Sequence, residues 1–439
     1  MFFSGKNMIE FLSIFFFIIF LTLYFFIPFY KKETFSSFKI TLDDYDLRSL
    51  NIIILLNLIL FFSLLNLTVG QIINIFYSLI FIFVIYFLTN FKKFYFSKNI
   101  IYYLFIYSII LLVLSLDLSS KLYLYWDAQK IWLPKALVFY NDGLISDLKN
   151  TSYTHYSFLG SLIWAFFWKI SSFNHEYFGR IFFIAIYCYS LFNIISLFNL
   201  NKNLRTITLL FLILTTYEYW HFRGTQEILV FSLLLILSKY LLNLVLYEKN
   251  INFNLLIIFL SSNLIIWTKN EGIILSIVLY IIIFFFSRQS LKKRFLLLLT
   301  LLFMVILRFG IFKINGLDLD LSQDFDFQNI IMIFYNNISF SNIFIITKYI
   351  LFSFAKFPHI LVSLFFAFLL LFNKQLFKKL KFLYLYLFLT IILIFFIYLS
   401  SPHYDMEFMV STGSMRLMFE FSAPYLLFII IFFKEKFKI

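Results

Sequence analysis

Residues 99–143 read NIIYYLFIYSIILLVLSLDLSSKLYLYWDAQKIWLPKALVFYNDG. An apolar run ends near Leu116, and a polar, aromatic stretch built on Tyr125-Trp126-Asp127-Ala128 follows it. Crossing the ~30 Å hydrocarbon core of a bilayer takes about 20 apolar residues in a helix. Backbone polar groups in lipid must be satisfied internally, which leaves helices or closed barrels. Runs of this length, broken by short polar or basic clusters, recur along the whole chain, which is the pattern of a polytopic helical membrane protein.

Composition agrees. The 439 residues are 62% hydrophobic, 23% aromatic and only 13% charged, a make-up that excludes a soluble globular domain. Taking apolar segments of spanning length gives about thirteen transmembrane helices. They are expected near 8–30, 49–67, 72–89, 99–116, 177–199, 205–219, 226–246, 252–267, 272–288, 293–311, 357–373, 380–399 and 418–434. The N-terminal run, from about Ile9 to Tyr30, is too long for a signal-peptide core and has no small-residue cleavage site, so it reads as retained.

The net charge of +14 does not call for nucleic acid, because the basic residues are spread over alternate loops. Lys31, Lys32, Lys39 and Arg48 form the first cluster, and Lys92, Lys93 and Lys98 the second. The series continues through Lys202 and Arg205, Arg288 to Arg294, Lys374 to Lys381, and Lys434 to Lys438. With the expected spans all of these fall on one side, which the positive-inside rule makes cytoplasmic. The C-terminus is then inside and the N-terminus outside. Cys188 lies inside an apolar run and, as the single cysteine, forms no intrachain disulfide.

The opposite face carries the polar, non-basic segments: a long loop 117–176, short turns at 220–225 and 268–271, a loop from about 312 to 356, and 400–417. Within 117–176, Asp127 to Tyr140 and Tyr156 to Ile170 read as helices lying in the membrane interface, where Trp and Tyr are favoured and Lys can snorkel. Leu317-Asp318-Leu319-Asp320-Leu321, with Asp324 and Asp326, offers oxygen ligands for a divalent cation, but it lacks EF-hand spacing and reads first as a solvated extracytoplasmic loop.

A carboxylate at the membrane surface is expensive to place and is a functional candidate by default. Asp127 fits either as a helix cap, worth about 1 kcal/mol, or as a catalytic group. Asp117 reads as the point where the chain leaves the lipid. His155, in Thr154-His155-Tyr156, serves as an interfacial residue or as a donor to a sugar or phosphate. Glu227 opens a helix at its positive dipole end and doubles as a second acidic group. Lys269 and Glu271 stand in the turn Thr268-Lys269-Asn270-Glu271-Gly272, as an exposed pair or with Lys269 as a phosphate holder. In Ser401-Pro402-His403-Tyr404-Asp405 and Ser414-Met415-Arg416, Arg416 begins the last span, a costly place unless it is paired or binds an anion. Arg308 and Lys239 read as snorkelling or internally paired. No phosphate-binding Gly loop, dinucleotide fingerprint, zinc spacing or nucleophile elbow is present.

The order Trp126-Asp127-Ala128, Trp132, Lys135-Ala136 and His155-Tyr156 resembles the first extracytoplasmic loop of GT-C fold glycosyltransferases, among them protein mannosyltransferases and lipid A aminoarabinose transferases. Lys269-Asn270-Glu271-Gly272 and Ser414-Met415-Arg416-Leu417, with Pro424, are similar to later patterns in bacterial members. The resemblance covers 99–439 as a GT-C-like module, with 1–98 as three additional N-terminal helices. It implies an enzyme of the bacterial cytoplasmic membrane that moves a sugar from a polyprenyl-phosphate donor to a lipid, glycan or protein acceptor outside. It makes Asp127 the catalytic base or a metal ligand, leaving a divalent cation open. Lys135, His155, Glu227, Lys269, Glu271 and Arg416 become substrate-binding groups. The second loop offers Gln226 and Glu227 where such enzymes often carry Asp, and Ser157 stands where Pro is common. The alternatives are a transporter, or a polysaccharide polymerase or ligase using lipid-linked sugars.

Overall fold

The fold was established from a computed structural model describing residues 5–26, 44–89, 98–197, 202–247, 250–317, 329–402 and 405–437. Among these residues every regular element is helical. Seven helices are long and apolar enough to cross a membrane: Tyr45–Leu64, Tyr102–Lys121, Tyr177–Ile195, Glu227–Tyr247, Ile251–Thr268, Leu291–Ile314 and Lys374–Leu399. Two bent pairs bring the number to nine if each is one broken span. The chain thus has the make-up of a helical membrane protein; among the described residues seven to nine crossings are long and apolar enough, against the thirteen expected.

Helix length removes some of the expected crossings. Glu271–Phe286 is 16 residues long, or about 24 Å at 1.5 Å per residue, short of a full crossing. Lys202–Thr216, with 15 residues, is shorter still. The stretch 312–356, expected as a loop, is largely helical where described: Ile330–Asn337 and Phe340–Lys356 meet at 88°. Ser339 sits at the corner and accepts a hydrogen bond from the Asn342 amide at 3.1 Å, so the polar residues read as loop are the cap of a helix. Asp318 to Asp326 and His403 lie outside the described residues.

The chain divides into two compact units. The first, Met1–Asn193 with Glu218–Leu229, contains the long polar loop. Its helices are tied by hydrogen bonds suited to a setting where lipid is as apolar as Leu. Tyr107 Oη donates to the Ala185 carbonyl at 2.7 Å, and Tyr189 Oη to the Tyr45 carbonyl at 2.8 Å. The two helices expected in the interface are a π-turn Ala128–Trp132 running into Leu133–Tyr140, and Leu159–Ile170. The latter has 12 residues and cannot cross. Every side chain from Leu159 to Trp168 is buried, so this helix presents no aromatic face outward. It packs on Leu133–Tyr140 and Val69–Thr89, with Phe167 stacked on Phe182 at 3.7 Å.

The second unit is Ile194–Tyr217 with Val230–Ile439. Here Phe340–Lys356 packs along Met406–Phe421, and Pro358–Leu371 along Leu426–Phe437. Glu271–Phe286 lies between Ile251–Thr268, Leu291–Ile314 and Lys374–Leu399.

Candidate functional site

In the first unit, the segments Tyr125–Ala128 and Arg223–Glu227, singled out separately in the sequence, lie side by side. The Tyr125 amide donates to the Arg223 carbonyl at 3.0 Å. Gly224 has φ +85°, and a Cβ there would stand 2.9 Å from Ala128 Cβ and 2.7 Å from the Trp164 ring. Glycine is required both for the left-handed backbone and for the close approach. Behind it, buried Arg180 donates to the Phe222 carbonyl at 3.0 Å and through two nitrogens to Glu176, fixing the 218–229 segment to the helix that starts at Tyr177.

Asp127 is half buried at the start of the π-turn. Its dihedrals are helical, φ −61° and ψ −37°, and its side chain makes no capping hydrogen bond. A capping residue has extended dihedrals and accepts from the first turn, so capping does not account for this aspartate. Asp117, by contrast, pairs with Lys121 at 2.6 Å within a helix that runs on to Lys121.

Lys135 is fully buried, and its ammonium donates to the carbonyls of Tyr153 at 2.9 Å and Tyr156 at 2.6 Å. It therefore pins the loop that carries His155. That histidine is buried with its ring 4.4 Å from Tyr156. Glu227 is the first residue of its helix and fully buried, where the positive end of the helix dipole favours a carboxylate.

The second unit holds the other sequence-selected residues. Ile251–Thr268 ends at extended Lys269, and Glu271 opens the next helix. A Cβ at Gly272 would overlap the Ile265 carbonyl, so the turn closes only with glycine. Arg308 is buried and donates to the Ile266 carbonyl at 2.6 Å, the Lys269 carbonyl at 3.3 Å and Asn270 Oδ1. It thereby satisfies carbonyls that a helix end leaves without intrahelical partners. Lys269 forms an ion pair with Glu420 and stands 3.6 Å from Glu271. Arg416, Glu271, Lys269 and Glu420 all lie close enough to Tyr398 for their charges to act on its hydroxyl.

The structure brings Asp127 together with the Glu227 segment, and Lys269 and Glu271 with Arg416. Glu420, Tyr398 and Arg180 were not picked out in the sequence. Glu420 was within reach: it lies four residues after Arg416, on the same helical face, inside a run counted as a span. Among the described residues no three His, Cys, Asp or Glu side chains gather in a way that could hold a metal ion. Comparison with known protein families, curated proteins and solved structures finds no match.

Proposed function

We propose that the protein is a membrane glycosyltransferase that moves a sugar from a polyprenyl-phosphate donor to a hydroxyl acceptor on the extracytoplasmic face of a bacterial cytoplasmic membrane. The observation that carries this reading is the meeting of Tyr125–Ala128 with Arg223–Gly224, which leaves Asp127 at a half-buried position that helix capping does not explain. In the reaction, Asp127 takes the proton of the acceptor hydroxyl as its oxygen bonds to the anomeric carbon. The bond from that carbon to the phosphate oxygen breaks, and the lipid phosphate leaves with the electron pair. General-base help of this kind is worth about 100- to 10,000-fold. The donor phosphate calls for a cation, and guanidinium suits its bidentate recognition. In the second unit Lys269 already faces two carboxylates, so its charge is answered within the protein. His155 and Glu227 remain assigned to the acceptor side.

The test is mass spectrometry of surface glycans and lipid-linked sugars in cells with and without the gene. A missing sugar with accumulated donor supports transfer. Transport, the second reading, draws on the helix pairs bent by 88° and 47° and on the buried Lys269–Glu420 pair, since transporters use broken helices and intramembrane charges. An unchanged glycan profile with altered solute uptake would replace the first reading by the second.

A further inference from the structure

A row of aromatic rings in the first unit runs from surface to interior. Trp126, 54% exposed, meets Tyr153 edge to face at 6.4 Å. Tyr153 meets Tyr156 at 6.1 Å, and Tyr156 meets Trp132 at 5.9 Å. Trp132 is only 1% exposed, and its indole N–H has no hydrogen-bond partner.

A second buried polar group is close to the same place. Ser161 donates to the Trp132 carbonyl at 2.8 Å, and the adjacent Gly160 lies under the side chain of Gln226. A Cβ at Gly160 would overlap the Gln226 amide oxygen. Gln226 is fully buried, and neither its amide oxygen nor its amide nitrogen has a hydrogen-bond partner. A buried polar group without a partner costs about 1–3 kcal/mol, and native structures keep few of them without a reason. Here the Trp132 main chain and the Gln226 side chain both adjoin the Gly160–Ser161 step, and Trp132 closes the aromatic row.

We infer that Trp132, Gln226 and the ring row Trp126–Tyr153–Tyr156 form a subsite for a neutral, hydroxyl-bearing sugar ring. The chemistry is complementary. A sugar hydroxyl both donates and accepts, as an amide does, and the indole adds a donor. The C–H face of the ring suits a flat aromatic surface, and ligand sites commonly combine aromatic walls with a few fixed polar groups. The row links an exposed outer member to the inner one that carries the N–H. Gly160 is the positioning residue, because only glycine leaves room for the amide. The subsite takes as its ligand the sugar of the transfer reading.

The experiment is saturation-transfer NMR on the full-length protein in a detergent without a sugar headgroup. The probes are methyl mannopyranoside, methyl glucopyranoside and N-acetylglucosamine, with glycerol and glucuronate as contrasts. Saturable transfer to at least one neutral pyranoside, and none to glycerol or glucuronate, is the expected result. Trp132→Phe, which keeps the ring and removes the N–H, and Gln226→Leu should each weaken binding at least about fivefold, the size of one lost neutral hydrogen bond. Gly160→Ala should act like Gln226→Leu by displacing the amide. Trp126→Ala, at an exposed position, should weaken binding with the unfolding midpoint unchanged, which keeps the test open if a buried variant fails to fold. Binding of no pyranoside, or binding indifferent to Trp126→Ala and Trp132→Phe, overturns the subsite. Saturable, Trp132-dependent binding in a protein whose loss leaves all glycans unchanged would keep the subsite and remove the transfer reading.

Discussion

Around Asp127 the buried cations turn to the main chain, whereas around Lys269 a cation turns to carboxylates. Lys135 donates to two carbonyls, and Arg180 adds a carbonyl to its bond with Glu176. Carbonyl contacts hold loops in place without cancelling charge. In the second unit, Lys269 is bound to Glu420 and close to Glu271, so its charge is largely answered within the protein. Lys135 therefore shapes a loop, and the Lys269–Glu420 pair ties the Lys269 turn to another helix, while Arg308 does for that turn through carbonyls what Lys135 does for the His155 loop. The difference lies in how Lys135 and Lys269 are answered.

The largest effect should come from stranding a charge in the second unit. Glu420 is fully buried, and Glu420→Leu leaves the Lys269 ammonium without its short-range partner. Removing one member of a buried pair destabilises by about 3–5 kcal/mol, whereas replacing both by apolar residues is often neutral. Glu271 remains at 3.6 Å and keeps the expected loss at the lower end, about 3 kcal/mol. Thermal unfolding in detergent should show a large drop for Glu420→Leu and recovery for Lys269→Met with Glu420→Leu. A single variant as stable as the parent would erase the contrast between the units.

Asp127→Asn asks the opposite question of the first unit. Transfer, read as product glycan per unit of inserted protein, should fall at least about a hundredfold. Near-parental transfer would remove Asp127 from the mechanism.

Glycines sharpen the comparison further. Gly224 needs φ +85°, and its Cβ would meet a ring atom and a methyl group held by buried segments. Gly224→Ala should cost about 1–3 kcal/mol and should lower transfer by shifting the Tyr125–Ala128 segment. At Gly413 the Cβ would stand 2.7 Å from Tyr398 Oη, with every other neighbour at 3.6 Å or more and no left-handed backbone required. Gly413→Ala should therefore be the milder of the two in the same unfolding assay. Equal losses would mean that the Gly224 contact is no tighter than an ordinary one.

What was legible in the sequence follows from the range of the forces involved. Apolar runs announce membrane helices, because hydrophobic length is a local property; helices were expected at 252–267 and 293–311, and Ile251–Thr268 and Leu291–Ile314 are there. Whether a run is long enough to cross depends on where turns and caps cut it, and Ser339 shows how a polar residue read as loop can instead start a helix. Asp127 and the Arg223–Glu227 stretch were visible as polar breaks. Their meeting depends on Arg180, forty-two residues from its Phe222 carbonyl, and on the backbone conformation of Gly224, neither of which a local pattern records. Lys135 was visible as a cation, but its tie to the Tyr153 and Tyr156 carbonyls is tertiary. The Lys269–Glu420 pair joins residues 151 apart, so each charge could be seen alone but not the bond.

The smallest effect expected belongs to a clasp in the first unit that differs from both patterns, since here a lysine meets a carboxylate in the open. Lys169 bonds to Asp142 at 2.5 Å and to the Tyr140 carbonyl at 2.9 Å, while the Gly70 amide donates to Asp142 at 2.7 Å. Partial burial pushes the Asp142 carboxyl up, but the hydrogen bonds from Lys169 and Gly70 outweigh it and hold the group below its ordinary value. A carboxyl lowered on folding contributes stability that is present above its unfolded pKa of about 3.9 and is lost as the pH falls through the lower, folded value. Asp142 has φ +62°, a conformation that Asn also tolerates, so Asp142→Asn removes the charge without adding backbone strain. The Asp142 side chain is 45% exposed, so solvent screening limits the contribution to about 1 kcal/mol or less. The unfolding midpoints of parent and variant should differ by a constant small amount above about pH 5 and converge as the pH falls below about 4. A gap that widens on acidification would mean that Asp142 is held in its neutral form, and the clasp would then belong with the buried charges of the second unit.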